Sequence, residues 1–170
     1  MVTSNLDNEG EYIMNLNNIT INRAPLDPIN TTEIFKDKRV VIFGLPGAFT
    51  PTCTTKQVPN YVEALPQFQE KGINEIWCIS VNDQFVMGKW WQTIKPAGLN
   101  FLPDGNGILT RRMGMLVKKE NLGFGYRSWR YAAVINNGNV EQLFAEAGIE
   151  DDHGEDPYEM SKPETVLKYL

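Results

Sequence analysis

Cys53 is the residue of this 170-residue chain whose surroundings point most clearly to chemistry. It follows an apolar run, and its neighbours are polar or turn-forming residues, namely Thr50, Pro51, Thr52, Thr54 and Thr55. A free cysteine more commonly serves as a small buried hydrophobe, for which such neighbours are unusual. The local context therefore leaves a reactive thiol and an inert thiol as open alternatives.

The segments on either side of Cys53 place it at the start of a helix. Residues 39–45 (RVVIFGL) form a continuous apolar run that predicts a strand buried on both faces. Apolar residues at positions 58, 62, 65 and 68 have helical spacing, which predicts a helix from about residue 53 to 71 with a kink at Pro66. Unpaired backbone N–H groups and the helix dipole at such a start favour a cysteine thiolate.

A second strand and helix follow the first pair. Residues 75–81 form another apolar run, and Asn82 and Asp83 can cap the next helix. The apolar stripe of that helix is predicted at Phe85, Val86, Trp90 and Ile94. Two successive strand–helix units predict parallel strands joined by crossover helices.

The C-terminal third predicts a hairpin and a closing helix. Residues 131–135 and 140–144 flank the sequence NNGN at 136–139, and Asn-Gly between apolar runs is a strong hairpin signal. Ser161 and Glu164 have the spacing of a capping box, which predicts a terminal helix. A parallel βαβ unit followed by an antiparallel hairpin and a helix is the order of a thioredoxin-like α/β fold. We therefore expect a central mixed sheet flanked by helices.

Length and composition fit a single domain. A chain of 170 residues with 42% hydrophobic content can bury a core without a disulfide framework. No internal repeat or low-complexity linker is present, so we expect residues 1–10 to be loosely held and residues 11–170 to form a single domain. Within residues 11–35 the sequence predicts only short strands and one helix near residues 31–35.

Charge and hydropathy argue against some partners. The formal net charge is −5 and no run of Lys or Arg is present, so we expect no nucleic-acid partner. The polar, acidic N-terminus lacks the features of a signal or transit peptide. The apolar run of residues 40–49 is too short to span a bilayer and contains Pro46 and Gly47. These observations favour a soluble, cytoplasmic protein with no membrane association.

The residues around Cys53 also carry a family resemblance. The sequence PGAFTPTC at 46–53 resembles the P-x-x-x-T-x-x-C active-site pattern of the peroxiredoxins, in the wording of the type II, or peroxiredoxin-five-like, branch. Three further blocks agree in order and spacing, namely SVND at 80–83 with FVM at 85–87, PDGN at 103–106, and LGFG at 122–125 leading into RSWRY at 127–131. The resemblance covers roughly residues 35–170, and it is most similar to the peroxidase half of bacterial peroxiredoxin–glutaredoxin fusions.

The resemblance implies a role for four residues. Cys53 matches the peroxidatic cysteine, and Thr50 matches the hydroxyl that orients it and the peroxide. Pro46 matches the residue that shields the pocket, and Arg130 matches the catalytic arginine. Without the resemblance, a surface ion pair or a packing role would be the preferred interpretation of Arg130. The role of the nearby Arg127 stays open.

Two other residues with reactive side chains favour structural interpretations. Cys78 lies within the apolar run of residues 75–81, so burial in the core is favoured over a resolving cysteine that would pair with Cys53. His153 is the only histidine, and the acidic residues around it lack a fixed ligand spacing, so a solvated loop is favoured over a cation site. We expect no metal and no cofactor.

The implied reaction begins with attack of Cys53 on a peroxide and gives a sulfenic acid. No cysteine follows Cys78 and no glutaredoxin segment precedes the end at Leu170, so an external thiol is expected to restore Cys53. Glutathione with a separate glutaredoxin is the first candidate reductant and thioredoxin the second. The resemblance also implies a homodimer. The alternative function is a redox sensor or partner-binding protein that uses Cys53 as a switch without steady turnover.

Overall fold

The computed structural model describes residues 5–6 and 12–170, and the secondary structure is distributed along the whole of this range. The strands are β1 (Asn5–Leu6), β2 (Tyr12–Ile13), β3 (Thr20–Arg23), β4 (Leu26–Asn30), β5 (Arg39–Leu45), β6 (Glu75–Ser80), β7 (Asn100–Pro103), β8 (Leu116–Lys118), β9 (Tyr126–Ser128), β10 (Tyr131–Asn136) and β11 (Asn139–Ala145). The helices are α1 (Thr31–Phe35), α2 (Val58–Glu70), α3 (Gln84–Ile94), α4 (Ile108–Arg112) and α5 (Pro163–Tyr169). A π-helical turn (Cys53–Gln57) directly precedes α2, and a 3₁₀ turn (Glu120–Leu122) follows β8.

A five-stranded mixed sheet with the order β11-β10-β5-β6-β7 forms the centre of the fold. Strands β5, β6 and β7 are parallel, whereas β10 is antiparallel to β5 and forms a hairpin with β11. Both central residues of the hairpin turn, Asn137 and Gly138, have positive φ, which explains the Asn-Gly sequence. The parallel strand–helix units and the hairpin that the sequence predicts are confirmed, although β6 ends at Ser80, one residue earlier than expected.

Hydrophobic residues pack on both faces of this sheet. One cluster joins the sheet to α2, α3 and α5 and contains both cysteines. The other lies on the opposite face and contains residues of β3, α1 and α4. Between β5 and β10 the ring of Tyr131 lies over Gly44, where a Cβ atom would stand 2.1 Å from the Tyr131 ring. Glycine is therefore required at this position of β5 if the tyrosine is to keep its place.

The apolar stripe predicted for α3 is only partly correct. Trp90 is fully buried, and Val86 and Ile94 pack against the same core. Phe85, however, is 68% exposed, so its predicted core position is wrong. Phe85 and Trp90 are five residues apart, which separates them by about 140° around a helix. The two side chains therefore cannot share one face.

The predicted capping box before α5 is also wrong in its contacts. The helix begins at Pro163 with Lys162 as N-cap, and no side chain caps it. The Ser161 hydroxyl instead donates to the Glu146 carboxylate at 2.7 Å. Spacing alone cannot reveal this outcome, because the competing acceptor comes from a distant segment.

The N-terminal predictions have mixed outcomes. A helix at Thr31–Phe35 and short strands before it are confirmed. The segment of residues 1–10 lies outside the described residues except for β1. Pro66 lies inside α2, and the kink predicted there stays a prediction. Among the residues described, no helix combines the length and apolar character needed to cross a membrane.

Candidate active site

Cys53 lies in the first turns of the helix that follows β5, as the sequence predicts. Helical backbone begins at Pro51, and the Thr54 N–H donates to the Thr50 carbonyl at 3.0 Å. The next turn is a π-helix, in which the Val58 N–H donates to the Cys53 carbonyl. Pro59, just beyond, has no N–H for an α-helical bond, so the irregular turn lies where the α-helical ladder is already interrupted. The sequence predicts the helix start but not the π-helical turn.

The thiol of Cys53 contacts one guanidinium. Arg130 Nη1 lies 3.5 Å from Cys53 Sγ, and the two residues are 2% and 0% exposed, respectively. Arg130 stands immediately before β10, whose first residue Tyr131 pairs with Gly44 of β5. Because β10 and β5 are neighbours, the end of β5 that leads to the cysteine helix lies beside the arginine.

Further groups surround the Arg130 guanidinium. Nη1 also donates to Gln57 Oε1, Nη2 lies 2.5 Å from the Asp156 carboxylate, and Nε donates to the Pro157 carbonyl at 3.2 Å. Burial alone would lower the pKa of Arg130, but the charges of Cys53 and Asp156 and the hydrogen bonds to them outweigh burial and hold the pKa above its usual value. Arg130 is thus a permanently charged and almost fully hydrogen-bonded group.

Gln57 is a buried polar residue that sequence reasoning missed. It lies four residues after Cys53, and both residues are fully buried. Its side-chain Nε2 donates to the Gly44 carbonyl at 3.4 Å, which turns its Oε1 toward Arg130. The amide therefore links the end of β5 to the guanidinium. A polar residue within a predicted helix carries no signal of this role.

Asp156 reaches Arg130 from a loop that Glu146 anchors. The Glu146 carboxylate is 2% exposed and accepts hydrogen bonds from the backbone N–H groups of residues 159, 160 and 161 and from the Ser161 hydroxyl. Its backbone carbonyl also accepts from Trp129 Nε1 at 2.8 Å. Sequence reasoning missed Glu146 and treated Asp156 only as one of several acids near His153. Asp156 differs from those acids because its carboxylate forms an ion pair with Arg130.

Pro46 and Thr50 lie at the two ends of the loop between β5 and the helix that carries Cys53. The Thr50 hydroxyl donates its proton to the Gly47 carbonyl at 2.7 Å, and this bond does not use the lone pairs of its oxygen. Pro46 is buried, and its carbonyl accepts a hydrogen bond from Arg127 Nη1 at 3.2 Å. The amide of Asn82 supports the same loop, because its Oδ1 accepts from the Ala48 N–H at 3.0 Å.

Arg127 thus contacts the loop and not the thiol. Its Nε donates to the Phe124 carbonyl at 3.2 Å, so the guanidinium joins two loops through backbone acceptors. Burial lowers the pKa of Arg127, and the charge of Cys53 opposes this shift. The loop that Arg127 holds therefore contains Pro46 and Thr50, two of the residues to which the family resemblance assigns a role beside Cys53.

Cys78 lies in β6 and is fully buried, opposite Phe43 of β5. Burial, and secondarily the charge of Cys53, raises the pKa of the Cys78 thiol well above its usual value. His153 packs its ring against Trp129 at 5.3 Å, and its Nδ1 lies 2.7 Å from Glu150. In the described part of the chain no group of three or more His, Cys, Asp or Glu side chains is arranged to hold a metal ion.

The chain is similar to known proteins in both sequence and structure. The Redoxin family model matches residues 14–159. A peroxiredoxin of Rhizobium etli is 52% identical over 140 residues, 82% of this chain and 78% of the relative. The hybrid peroxiredoxin hyPrx5 of Haemophilus influenzae is 49% identical over 142 residues, 84% of this chain and 57% of the relative. The crystal structure of reduced Prx3 from Vibrio vulnificus in complex with hydrogen peroxide superposes with a TM-score of 0.81 at 35% identity, covering 92% and 96% of the two chains.

The fold and the site define a class of protein. A thioredoxin-like sheet that carries a buried cysteine beside a guanidinium is the framework of a thiol-based redox enzyme, and the predicted fold class is confirmed. The chain belongs to the peroxiredoxin family, in its type II, peroxiredoxin-five-like branch. Its relatives support a thiol-dependent peroxidase activity.

The burial of Cys78 predicts slow alkylation. Because its pKa is raised, little thiolate forms near pH 8, and the β-sheet also blocks access. In a Cys53→Ser protein, iodoacetamide should modify Cys78 slower in the native state than in urea by about a hundredfold or more. Mass spectrometry of timed samples measures both rates, and equal rates would contradict the inert-core assignment.

Proposed function

We propose that the protein reduces hydrogen peroxide and alkyl hydroperoxides through Cys53 and is restored by an external thiol. The contact that carries this proposal is the 3.5 Å approach of Arg130 Nη1 to Cys53 Sγ inside a buried site. Glutathione with glutaredoxin is the first candidate reductant, and thioredoxin is the second. The proposed catalytic residues are Cys53, Thr50, Arg130 and Pro46.

The first step transfers one oxygen atom to the cysteine. The Cys53 thiolate attacks an oxygen of the peroxide, the S–O bond forms as the O–O bond breaks, and the leaving hydroxide or alkoxide takes up a proton. Negative charge moves from the sulfur to the leaving oxygen during this step. Arg130 is already in place and lies beside the sulfur, so it can stabilise charge at both positions without reorganising.

Thr50 and Pro46 are proposed to orient and shield the peroxide. Since the Thr50 hydroxyl donates its proton to Gly47, its lone pairs can accept a hydrogen bond from the peroxide O–H. Arg130 would donate to the same peroxide from the other side, and the two contacts would align the O–O bond with Cys53. Pro46 has no N–H and is buried, which suits a wall that keeps water from the thiol.

Thiolate formation alone does not explain a fast peroxidase. A more acidic thiol yields more thiolate at neutral pH, but each thiolate is then a weaker nucleophile, so much of the gain is lost. Most of the acceleration must come from groups that bind the transition state more tightly than the free peroxide. In this site Arg130 and the N–H groups of the helix start are placed to do so.

The positions of the thiols support an external reductant. Only two cysteines are present, and Cys78 is held inside β6. The glutathione and glutaredoxin assignment rests on the similarity to the hybrid peroxiredoxin and on the resemblance to peroxiredoxin–glutaredoxin fusions.

Two free cysteines and bacterial relatives support a cytoplasmic location. We also propose that residues 11–170 form one domain. A homodimer is proposed because the side chains of Phe49 and Phe85 are 51% and 68% exposed, and large exposed apolar side chains suit an interface.

A turnover assay tests the proposed function. The protein is supplied with hydrogen peroxide or tert-butyl hydroperoxide and either glutathione with glutaredoxin or thioredoxin with its reductase. We expect steady consumption of many equivalents of peroxide per chain, with the glutathione system faster. Consumption that stops at one equivalent per chain with both systems would contradict an enzyme and would indicate a redox sensor.

Replacement of Arg130 by lysine should not be a mild change. An ammonium group cannot contact Cys53, Gln57 and Asp156 with the planar geometry of a guanidinium. The second-order rate constant with hydrogen peroxide should fall on the order of a hundredfold, as for loss of one oxyanion donor. Arg111→Lys, at an exposed position of α4, is the matched control and should react at the wild-type rate. Wild-type rates in Arg130→Lys would rule out the proposed role.

The oxidised intermediate should accumulate in the absence of reductant. After one equivalent of peroxide, intact-mass measurement should show the gain of one oxygen on Cys53, and a parallel sample with a sulfenic-acid trap should show the trap adduct in its place. Added glutathione should then convert this species to a mixed disulfide. A rapid loss of two hydrogens would show instead that Cys53 and Cys78 pair after local unfolding, and thioredoxin would then be the better candidate reductant.

A further inference from the structure

Trp90 is a fully buried indole whose one polar group contacts the turn that carries Cys53. It lies on α3 and packs in the core cluster that also contains Cys53. An indole N–H can donate but not accept, and a buried one needs an acceptor. Trp90 Nε1 donates to Thr54 Oγ1 at 3.1 Å. The residue that directly follows Cys53 is therefore hydrogen-bonded to a neighbouring helix.

Thr54 links this indole to the reacting groups. Its main chain is bonded covalently to Cys53, and its backbone N–H donates to the Thr50 carbonyl at 3.0 Å. Cys53 and Thr50 are the nucleophile and the orienting hydroxyl of the proposed mechanism. A shift of Thr54 therefore moves both of them relative to Arg130.

The backbone around Thr54 depends on contacts from other elements. The turn Cys53–Gln57 is π-helical, which is a rare geometry, and its N-cap Thr52 makes no side-chain cap. Gln57 Nε2 bonds the end of the turn to β5 through the Gly44 carbonyl. Trp90 bonds the start of the turn to α3. The two contacts thus fix the turn near both of its ends.

Packing alone does not hold the Thr54 side chain. This side chain is half-buried, and a groove of about 430 Å³ lies between the start of α2 and the end of α3 with Thr54 in its wall. A side chain next to open space can shift without a steric clash. The hydrogen bond from Trp90 is therefore the contact that sets the position of Thr54 on this side.

We propose that Trp90 is a positioning residue for peroxide reduction, which keeps Cys53 and Thr50 aligned with Arg130 through its hydrogen bond to Thr54. The inference rests on the proposed peroxidase function and adds a residue to that site. Trp90 acts through Thr54 and takes no part in the bond changes. Small displacements of reacting groups cost much of the rate, so the loss of this bond should be measurable.

Replacement of Thr54 by valine tests the proposal, because valine keeps the shape of the side chain and removes the acceptor. Two rate constants are measured for Cys53 in each sample, one with hydrogen peroxide and one with iodoacetamide. Alkylation by iodoacetamide needs the thiolate but not the alignment of a peroxide with Thr50 and Arg130. The ratio of the two rate constants is independent of the amount of thiolate, and we expect it to fall about tenfold in Thr54→Val.

Two matched variants separate this bond from a general effect on the turn. Thr54→Ser keeps the acceptor and should restore the wild-type ratio. Thr55→Val makes the same change at the next threonine, which is exposed and whose hydroxyl donates to the Pro51 carbonyl at 2.7 Å. This second variant should keep the wild-type ratio.

Nuclear magnetic resonance shows whether the bond is lost. The chain has four tryptophans, so each indole N–H gives one signal in a ¹⁵N-labelled sample, and Trp90→Phe identifies the signal of Trp90. In Thr54→Val this signal should move more than those of the other tryptophans, because its N–H has lost its acceptor. In Thr54→Ser it should stay near its wild-type position.

The outcomes are distinct. A wild-type ratio in Thr54→Val whose Trp90 signal has moved would overturn the positioning role, as would an unmoved signal or an equal loss in Thr55→Val. Each of these results leaves peroxide consumption by the wild type intact. A wild-type protein whose Cys53 does not react with hydrogen peroxide would overturn both this inference and the proposed function.

Discussion

The burial of one guanidinium is the constraint on which the site depends. Arg130 is only 2% exposed, and a buried charge is tolerated only when hydrogen bonds and opposite charges surround it. Its three nitrogens contact Cys53, Gln57, Asp156 and the Pro157 carbonyl. The guanidinium is therefore held in one position, as its proposed stabilisation of the transition state requires.

Each of these partners comes from a different part of the fold. The helix after β5 supplies Cys53 and Gln57, and the loop between β11 and α5 supplies Asp156. That loop is held by the Glu146 carboxylate, while β10 places Arg130 beside the end of β5. Changes at Glu146 or Gly44 would thus reach the thiol through the position of Arg130, although neither residue contacts Cys53. The exposed carboxylate of Asp156, at 47%, contributes less than its short distance suggests because water screens it.

Sequence reasoning found the parts of this arrangement that local patterns carry. The strand β5, the helix start at Cys53 and the hairpin of β10 and β11 follow from apolar periodicity and turn residues. Arg130 is predicted only through the family resemblance, since an arginine near a strand has no chemical signature of its own. Gln57 and Asp156 stand 73 and 26 positions from Arg130 in the chain, and no short-range pattern connects them. The same limit explains the failed capping box, where Ser161 bonds to Glu146.

The central claim is that Gln57 and Asp156 both act by holding the Arg130 guanidinium, and a double-mutant cycle tests it directly. Rate constants for reaction with hydrogen peroxide are measured for Gln57→Leu, Asp156→Asn, the double variant and the wild type. Each single variant should lose about tenfold, since small displacements of a catalytic group are costly. The double variant should lose clearly less than the product of the two, because the same group is displaced in each. Losses that multiply independently, or wild-type rates in both single variants, would contradict the account.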